Sequence, residues 1–214
     1  MIGINYGRDT FFFPRYYGPD AGWHISAEIR TKHFFSSIIK EDFNIIDAGA
    51  QIGMYTVPFS KWASKGTVYA FEPTDTVEML KENLNHNECR NVSIQNVALS
   101  NKDGIFSDKI YKVWSQGIVE DREFQFQTVD TFIKKNNLKI DLIKIDVDSY
   151  DFEVLQGCES FFKEQNPYVV VELNSALEKR NYRPEDALKF MDSIGYELVE
   201  VFDNENFFFS KRSA

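Results

Sequence analysis

The stretch IIDAGAQIG, residues 45–53, constrains the fold more than any other part of the chain. An apolar run ends in an acid, Asp47, and two glycines follow four residues apart, Gly49 and Gly53. Glycine permits a tight turn and lets a ligand approach the backbone closely. The pattern predicts a buried β-strand that leads directly into a ligand-binding loop.

Strands and helices alternate along most of the chain. The predicted strands cover residues 43–47, 67–72, 91–99, 141–147 and 168–174, with two more strands joined by a turn within residues 196–210. The predicted helices cover residues 25–40, with Ser26 as a cap, and residues 54–64, 75–86, 131–137, 151–163 and 184–195. Strands that are apolar on both faces, separated by helices, indicate an α/β protein with a mostly parallel sheet. The last two strands are predicted to form an antiparallel hairpin.

Two segments depart from this alternation. Residues 1–24 combine aromatic residues with Gly and Pro, which predicts an irregular arm. Residues 100–127 contain the alternation EFQFQTV, in which Phe124 and Phe126 share one face, and this predicts a β-rich excursion from the sheet. Neither repeats nor a linker divide the chain, so residues 1–214 are predicted to form a single domain.

Charge and composition narrow the classes of function. A net charge of −9 opposes binding to a phosphate backbone, so no nucleic-acid partner is expected. Cys89 and Cys158 lack the spacing of a zinc site and are expected to be reduced thiols. The start of the chain does not resemble a signal peptide, and no apolar stretch has the length of a membrane span. We expect a soluble cytoplasmic protein.

The loop and the end of the second predicted strand indicate the class of ligand. Glu72 lies where a carboxylate can accept hydrogen bonds from both hydroxyls of a ribose. The triple-glycine pattern of dinucleotide binding and the lysine of a phosphate-binding loop are both missing. The remaining candidate is an adenosine without phosphate, S-adenosylmethionine, whose sulfonium and ammonium groups suit Asp47. The alternative is that Gly49 and Gly53 only make a turn and Glu72 is a surface acid.

Four segments, IIDAGAQIGMYT, VYAFEP, NVAL and DLIKIDVDSYDFEVLQG with NPYVVVEL, resemble the FkbM family of S-adenosylmethionine-dependent methyltransferases in content and order. The resemblance covers roughly residues 43–174. It implies a class I methyltransferase fold, which is Rossmann-like with a seven-stranded sheet. It also implies methyl transfer to a hydroxyl of a sugar, a glycolipid or polysaccharide unit, or a macrolide-like product.

The resemblance also implies a set of cofactor-binding residues. Those residues are Asp47, Gly49, Ala50 and Gly53 in the glycine loop, Glu72 and Pro73 at the ribose, Val97 and Ala98 near the adenine, and Asp146 after the fourth strand. The chain departs from the family pattern at Gln51, at Asp148-Ser149 and at Asp151, where Asn, Glu-Gly and Glu are usual. These departures leave the predicted cofactor unchanged and weaken any transfer of substrate geometry.

An alcohol acceptor requires a base to remove its proton. Asp146, Asp148 and Glu172 follow the fourth and fifth predicted strands and are the catalytic candidates. Helix capping or loop bracing is the alternative role for each of them. Asp146 and Glu172, with Asn174, can also converge on a divalent ion, but no spacing demands one and no metal is predicted.

The arm supplies candidates for acceptor binding. Tyr16, Tyr17 and Trp23 are aromatic residues with polar atoms that can stack on a sugar, and His24 can act as a base near neutral pH. The arm would then form a lid over the site. Ordinary packing or a dimer contact is the alternative.

The expected function is O-methylation of a sugar unit in a glycan or glycolipid. Three alternatives remain open: methylation of a polyketide-like metabolite, a scaffold that binds the cofactor without catalysis, and a nicotinamide dehydrogenase. The oligomeric state is not predicted.

Overall fold

The computed structural model describes residues 1–18, 21–113 and 118–212, with the backbone alone at residues 111–113 and 118–120. Residues 19–20 of the predicted arm and residues 114–117 of the predicted excursion lie outside the described residues. Twelve strands occur in the described ranges: β1 Ile2–Asn5, β2 Thr10–Phe13, β3 Ile45–Ala48, β4 Val68–Phe71, β5 Val92–Gln95, β6 Ala98–Leu99, β7 Gly104–Val113, β8 Ile118–Gln127, β9 Leu142–Ile145, β10 Tyr168–Glu172, β11 Tyr196–Phe202 and β12 Asn206–Lys211.

Eight α-helices and one short 3₁₀ helix occur in the same ranges. They are α1 Ala21–Ser26, α2 Ile29–Ile38, α3 Thr56–Trp62, α4 Val77–His86, α5 Val129–Asn136, α6 Asp151–Gln156, α7 Glu159–Gln165 and α8 Pro184–Ser193, with the 3₁₀ helix at Ser175–Arg180. None of the helices in the described part of the chain is long and apolar enough to cross a membrane.

Seven strands form the central sheet in the order β11-β12-β10-β9-β3-β4-β5. The pairs β3–β4, β4–β5, β3–β9 and β9–β10 are parallel, while β12 is antiparallel to both of its neighbours. This arrangement confirms the predicted mostly parallel, Rossmann-like sheet with a C-terminal hairpin. In the structure β12 inserts between β10 and β11. Because β12 is antiparallel to both neighbours, β11 runs in the same direction as the parallel strands and β12 alone runs in the opposite direction.

The sheet is buried on both faces by two apolar clusters. One contains Ile46, Ile143 and the helices that follow β9, and the other contains Ile45, Val68 and α3. Strands β3 and β9 are buried at all four of their positions. This double burial explains why these strands are apolar on both faces, apart from Asp47 in β3 and Lys144 in β9.

The excursion forms a small sheet of its own, as predicted. Strands β7 and β8 pair antiparallel, and β6 joins β8 in parallel. Phe124 and Phe126 both point into the core, with exposures of 2% and 1%. The predicted strand over residues 91–99 is therefore divided, since β5 belongs to the central sheet and β6 to the small one.

The prediction of an irregular N-terminal arm was wrong. Strands β1 and β2 form an antiparallel hairpin, and α1 follows it. The alternation in IGIN buries Ile2 and Ile4 in the same cluster as α3. The aromatic content of the segment thus comes from a hairpin that packs on the domain.

Two helix predictions also need correction. Ser26 ends α1 and donates to Gly22 O at 2.7 Å, so it does not cap α2, which begins at Ile29. The predicted helix over residues 151–163 is two helices, α6 and α7, that meet at Gly157. A Cβ at Gly157 would lie 2.2 Å from Ser100 O, so the close approach of the chain after β6 requires glycine there.

Candidate active site

A cavity of about 380 Å³ opens at the carboxyl ends of the central strands. Most of the predicted site residues line it: Trp23, His24, Asp47, Gly49, Glu72, Pro73, Val97, Ala98, Asp146, Asp148 and Glu172. Ligands of open α/β sheets bind at this edge. The structure therefore brings the three catalytic candidates and most of the cofactor candidates into one space.

Gly49 turns the chain at the floor of this cavity. Its φ is +85°, and its amide and that of Ala50 both donate to Phe71 O, at 3.0 and 2.9 Å. A Cβ at Gly49 would lie 1.8 Å from Asp146 O. The loop after β3 and the end of β9 touch at this position, which leaves no room for a side chain.

Replacement of Gly49 by alanine is expected to destabilise the protein by about 3 kcal/mol or more, because a left-handed backbone and a backbone clash combine. Thermal unfolding measures this loss. Gly22→Ala is the matched control, since Gly22 lies in α1 and a Cβ there meets nothing within 4 Å. The explanation is wrong if both variants unfold at the temperature of the parent.

Four predicted site residues do not line the cavity. Gly53 packs on α4, where an added Cβ would lie 2.8 Å from Leu80 Cδ1, and Ala50 is buried in the core cluster that contains α3. Tyr16 and Tyr17 pack against that same cluster, and the Tyr17 hydroxyl lies 3.2 Å from Thr76 Oγ1. These four residues pack outside the cavity lining, and their predicted contacts with the cofactor and the acceptor stay predictions.

Asp47, the last acid before the glycine loop, is 1% exposed. The Thr56 hydroxyl donates to Oδ2 at 2.5 Å, while Oδ1 has no hydrogen-bond partner among the described residues. Burial raises the pKa of Asp47, against the opposing charge of Lys144 and the bond from Thr56. A buried acceptor without a donor on a cavity wall is costly unless a ligand supplies one.

Glu72 follows β4 and is held rigidly. Oε1 accepts from the Thr74 amide at 2.9 Å and from the Thr74 hydroxyl, and Oε2 accepts from the Gln51 amide at 3.0 Å. Its exposure is 6%. The carboxylate is thus oriented before any ligand arrives, which lowers the entropy cost of binding.

Lys144 lies on β9 at the centre of the acidic wall. Its Nζ donates to Asp146 Oδ2 at 2.8 Å and lies 4.6 Å from the centre of the Tyr55 ring. Burial by itself lowers the pKa of Lys144, but the charges of Asp146, Asp47 and Glu28 outweigh it and raise the pKa. Oδ2 of Asp146 is therefore bonded to an ammonium group that stays charged.

Asp148 differs from Asp146 in backbone and environment. Its φ is +64°, in the left-handed region that few residues other than Gly, Asn and Asp adopt. Burial and the neighbouring charge of Asp146 raise its pKa to about 7, with a smaller contribution from Glu72 and an opposing one from Lys179. Strained backbone and a shifted pKa both concentrate at functional sites.

Asp148 should also make the stability of the protein depend on pH. Its native pKa of about 7 lies above the ordinary 3.8, so the folded state binds more protons between these values, and stability falls as pH rises towards 7. Asp148→Asn is therefore expected to raise the melting temperature relative to the parent at pH 8, and much less at pH 5. A difference between parent and variant that is equal at both pH values would contradict the raised pKa.

Sequence reasoning missed several residues of the cavity wall. Glu28 and Lys32, from the start of α2, line it, as do Tyr55 and the hairpin residues Lys109 and Ile110. No local signal distinguishes these residues, because their positions depend on how the N-terminal segment and the excursion pack on the sheet.

Glu28 completes a cluster of three carboxylates with Asp146 and Glu172, whose nearest oxygens lie within 4.8 Å of one another. Burial, followed by the charge of Asp146, raises the pKa of both Glu28 and Glu172. Such clusters are common without a metal ion, and shared protons relieve the repulsion between the carboxylates. The expectation of no resident metal stays a prediction.

Contacts of Arg180 and Tyr150 hold the β7–β8 hairpin beside the cavity. Arg180 packs its guanidinium 3.6 Å from the centre of the Tyr150 ring and pairs with Glu153. The Tyr150 hydroxyl donates to Asp108 on β7. This network holds the segment that carries Lys109 and Ile110 against the site.

The order of the central sheet and the cavity at its carboxyl edge define a Rossmann-like methyltransferase fold. Among solved structures, the methyltransferase FkbM from Methylobacillus flagellatus has a TM-score of 0.58 at 14% identity, over 83% of this chain and 46% of that chain. A putative rRNA methylase from Clostridium thermocellum has a TM-score of 0.56 at 11% identity, over 87% and 96%. At these identities the likeness concerns the fold.

Residues 47–198 match the model of the methyltransferase FkbM domain, and the chain belongs to this family. It is also 24% identical over 182 residues to the hexuronic acid methyltransferase AglP of Haloferax volcanii, which covers 81% of this chain and 72% of that protein. The match to the Methylobacillus protein covers less than half of that protein's length.

Proposed function

We propose that the protein is an S-adenosylmethionine-dependent O-methyltransferase that acts on a sugar hydroxyl in a glycan or glycolipid. The observation that carries the proposal is the buried Asp47 oxygen without a donor, on the wall of a cavity formed by the Gly49 loop and Glu72. S-Adenosylmethionine matches both carboxylates, because its ammonium group can donate to Asp47 and its ribose hydroxyls can donate to Glu72.

The charge of the cavity supports this cofactor. The described lining residues include seven acidic side chains and three lysines. A sulfonium and an ammonium are favourable in such surroundings, whereas the pyrophosphate of a nicotinamide dinucleotide is repelled. In the proposed complex Glu72 binds the ribose hydroxyls, and the adenine lies between Pro73 and the segment of Val97 and Ala98.

The reaction is an in-line displacement at the methyl carbon. The acceptor oxygen forms a bond to this carbon, the carbon–sulfur bond breaks, and its electron pair remains on a neutral thioether. The proton of the hydroxyl passes to Asp148, whose raised pKa suits a base near neutral pH. Asp146, already paired with Lys144, acts in positioning.

Two features support a sugar as the acceptor. The relative from Haloferax is a hexuronic acid methyltransferase. In this chain Trp23 lies at the cavity and is 51% exposed, so that an aromatic face is available for the apolar C–H face of a sugar ring. A nucleic-acid acceptor is disfavoured by the acidic lining and the net charge of −9.

A methyl-transfer assay with an isotope-labelled donor tests the proposal. The acceptors are a glycan that contains a uronic acid, a matched neutral glycan, a macrolide alcohol and a fragment of ribosomal RNA. We expect label in a glycan, as an alkali-stable ether, and labelling about a hundredfold slower or more with Asp148→Asn. Label in the RNA or the macrolide alone would overturn the acceptor class, and binding of the donor without transfer to any acceptor would favour the scaffold.

A further inference from the structure

Lys32 is a buried cation on the wall of the same cavity. It lies on α2, is 2% exposed, and donates from Nζ to His24 O at 2.8 Å and to Ala27 O at 2.6 Å. Both partners are neutral carbonyl groups. Since an ammonium has three donors, these two bonds leave one donor for another acceptor.

The other two lysines of the lining form direct ion pairs with carboxylates, whereas Glu28 and Asp203 act on Lys32 only through their charge. Lys144 pairs with Asp146 at 2.8 Å, and Lys109 lies 3.5 Å from Asp121. No carboxylate oxygen lies within 4 Å of Lys32 Nζ among the residues that the structure describes. Burial lowers the pKa of Lys32, against the charges of Glu28 and Asp203, and an anion in direct contact with the ammonium reduces the cost of its burial.

Lys32 and Asp47, whose Oδ1 has no hydrogen-bond partner among the described residues, line the same cavity. Tyr6 connects the two: Lys32 Nζ is 5.8 Å from the centre of its ring, while the charge of Asp47 contributes to raising the pKa of its hydroxyl, after burial and Glu28. The wall of one cavity therefore presents a cation with a spare donor and an anion with a spare acceptor. An amino-acid zwitterion has the complementary pair of groups.

We infer that Lys32 binds the α-carboxylate of the methyl donor's methionine moiety, while Asp47 binds its ammonium group. This inference rests on the proposed function, because it assigns one end of the same cofactor. It adds a role for α2 in cofactor binding. A carboxylate on a uronic acid acceptor has the same chemistry, and the experiment must separate the two sources.

Affinity for three nucleosides tests the inference by calorimetry without acceptor. The ligands are S-adenosylhomocysteine, its decarboxylated analogue and 5′-methylthioadenosine, which lacks the amino-acid group. The parent is expected to prefer S-adenosylhomocysteine to the decarboxylated analogue by about tenfold or more, the size of a charge-assisted hydrogen bond. In Lys32→Met this ratio should fall to near one, and Lys32→Arg should retain part of it.

The third ligand keeps the test independent of folding. If Lys32→Met binds 5′-methylthioadenosine as the parent does, the adenosine end of the pocket is intact, and the change in ratio belongs to the carboxylate. An unchanged ratio in Lys32→Met overturns the inference. A fourth titration, with a free uronic acid, separates the two sources of carboxylate: loss of uronic acid binding alone in Lys32→Met also overturns the inference. Failure of the parent to bind S-adenosylhomocysteine overturns the proposed function itself.

Discussion

Replacement of Asp148 by asparagine is expected to lower kcat by about 10²–10⁴-fold, the usual contribution of a general base. The change preserves the size of the side chain, and asparagine tolerates the left-handed backbone at this position. S-Adenosylhomocysteine should bind with nearly unchanged affinity, because the proposed cofactor contacts lie on Asp47, Gly49 and Glu72. Single-turnover kinetics and calorimetry on one preparation measure both quantities.

The pH profile separates Asp148 from its neighbour. In the parent, kcat/KM should rise with pH through a midpoint near 7, as Asp148 loses its proton. Asp146→Asn is the matched control: it should lower the rate but retain an ionisation, because the proposed base is still present. If Asp148→Asn retains both the parent rate and the parent midpoint, Asp148 is not the base.

Replacement of Glu72 by alanine is expected to weaken binding of S-adenosylhomocysteine by about 1–3 kcal/mol, because two hydrogen bonds to the ribose are lost. Calorimetry measures the loss, and thermal unfolding checks that the variant is folded, since Glu72 also accepts from Thr74 and Gln51. Glu78→Ala is the matched control, because Glu78 is exposed on α4.

A second variant separates the ribose contact from the local structure. Thr74→Val removes one hydroxyl donor to Glu72 and leaves the carboxylate in place. It should weaken binding less than Glu72→Ala does. Equal losses would assign the effect to the loop, and unchanged affinity in a folded Glu72→Ala would refute the ribose contact.

The strands and the glycine loop could be predicted because their signals are local. β3, β9 and β10 are largely apolar, each has an acid in its last two positions or directly after it, and an acid at the carboxyl end of a parallel strand lies at the ligand edge of the sheet. The same reasoning located Glu72. The hairpin at the C-terminus was also visible, but the insertion of β12 beside β10 depends on pairing between distant residues, which no local pattern encodes.

The part of the wall that comes from other segments could not be predicted. Glu28 and Lys32 enter the cavity because the N-terminal hairpin and α2 pack on the face of the sheet that carries α3. Tyr16 and Tyr17 were predicted at the acceptor on their chemistry alone, and in the structure both pack against the core cluster that contains α3, outside the cavity lining. Chemistry of a side chain identifies a candidate, whereas long-range packing decides whether it reaches the site.

The choice between Asp146 and Asp148 as the proposed base also required the structure. Asp146 and Asp148 are two residues apart, and the sequence offers both as bases. The bond from Lys144 occupies Asp146, while Asp148 has a left-handed backbone, and burial and the charge of Asp146 raise its pKa to about 7. Neither the ion pair nor the backbone angle leaves a trace in residue spacing.

A crystal structure with bound S-adenosylhomocysteine tests the cofactor site most directly. We predict that the ribose hydroxyls lie within hydrogen-bond distance of Glu72, that the amino group reaches Asp47 Oδ1, and that the sulfur faces the side of the cavity where Asp146 and Asp148 lie. A nucleoside bound away from the Gly49 loop, or a ribose that makes no contact with Glu72, would contradict the account.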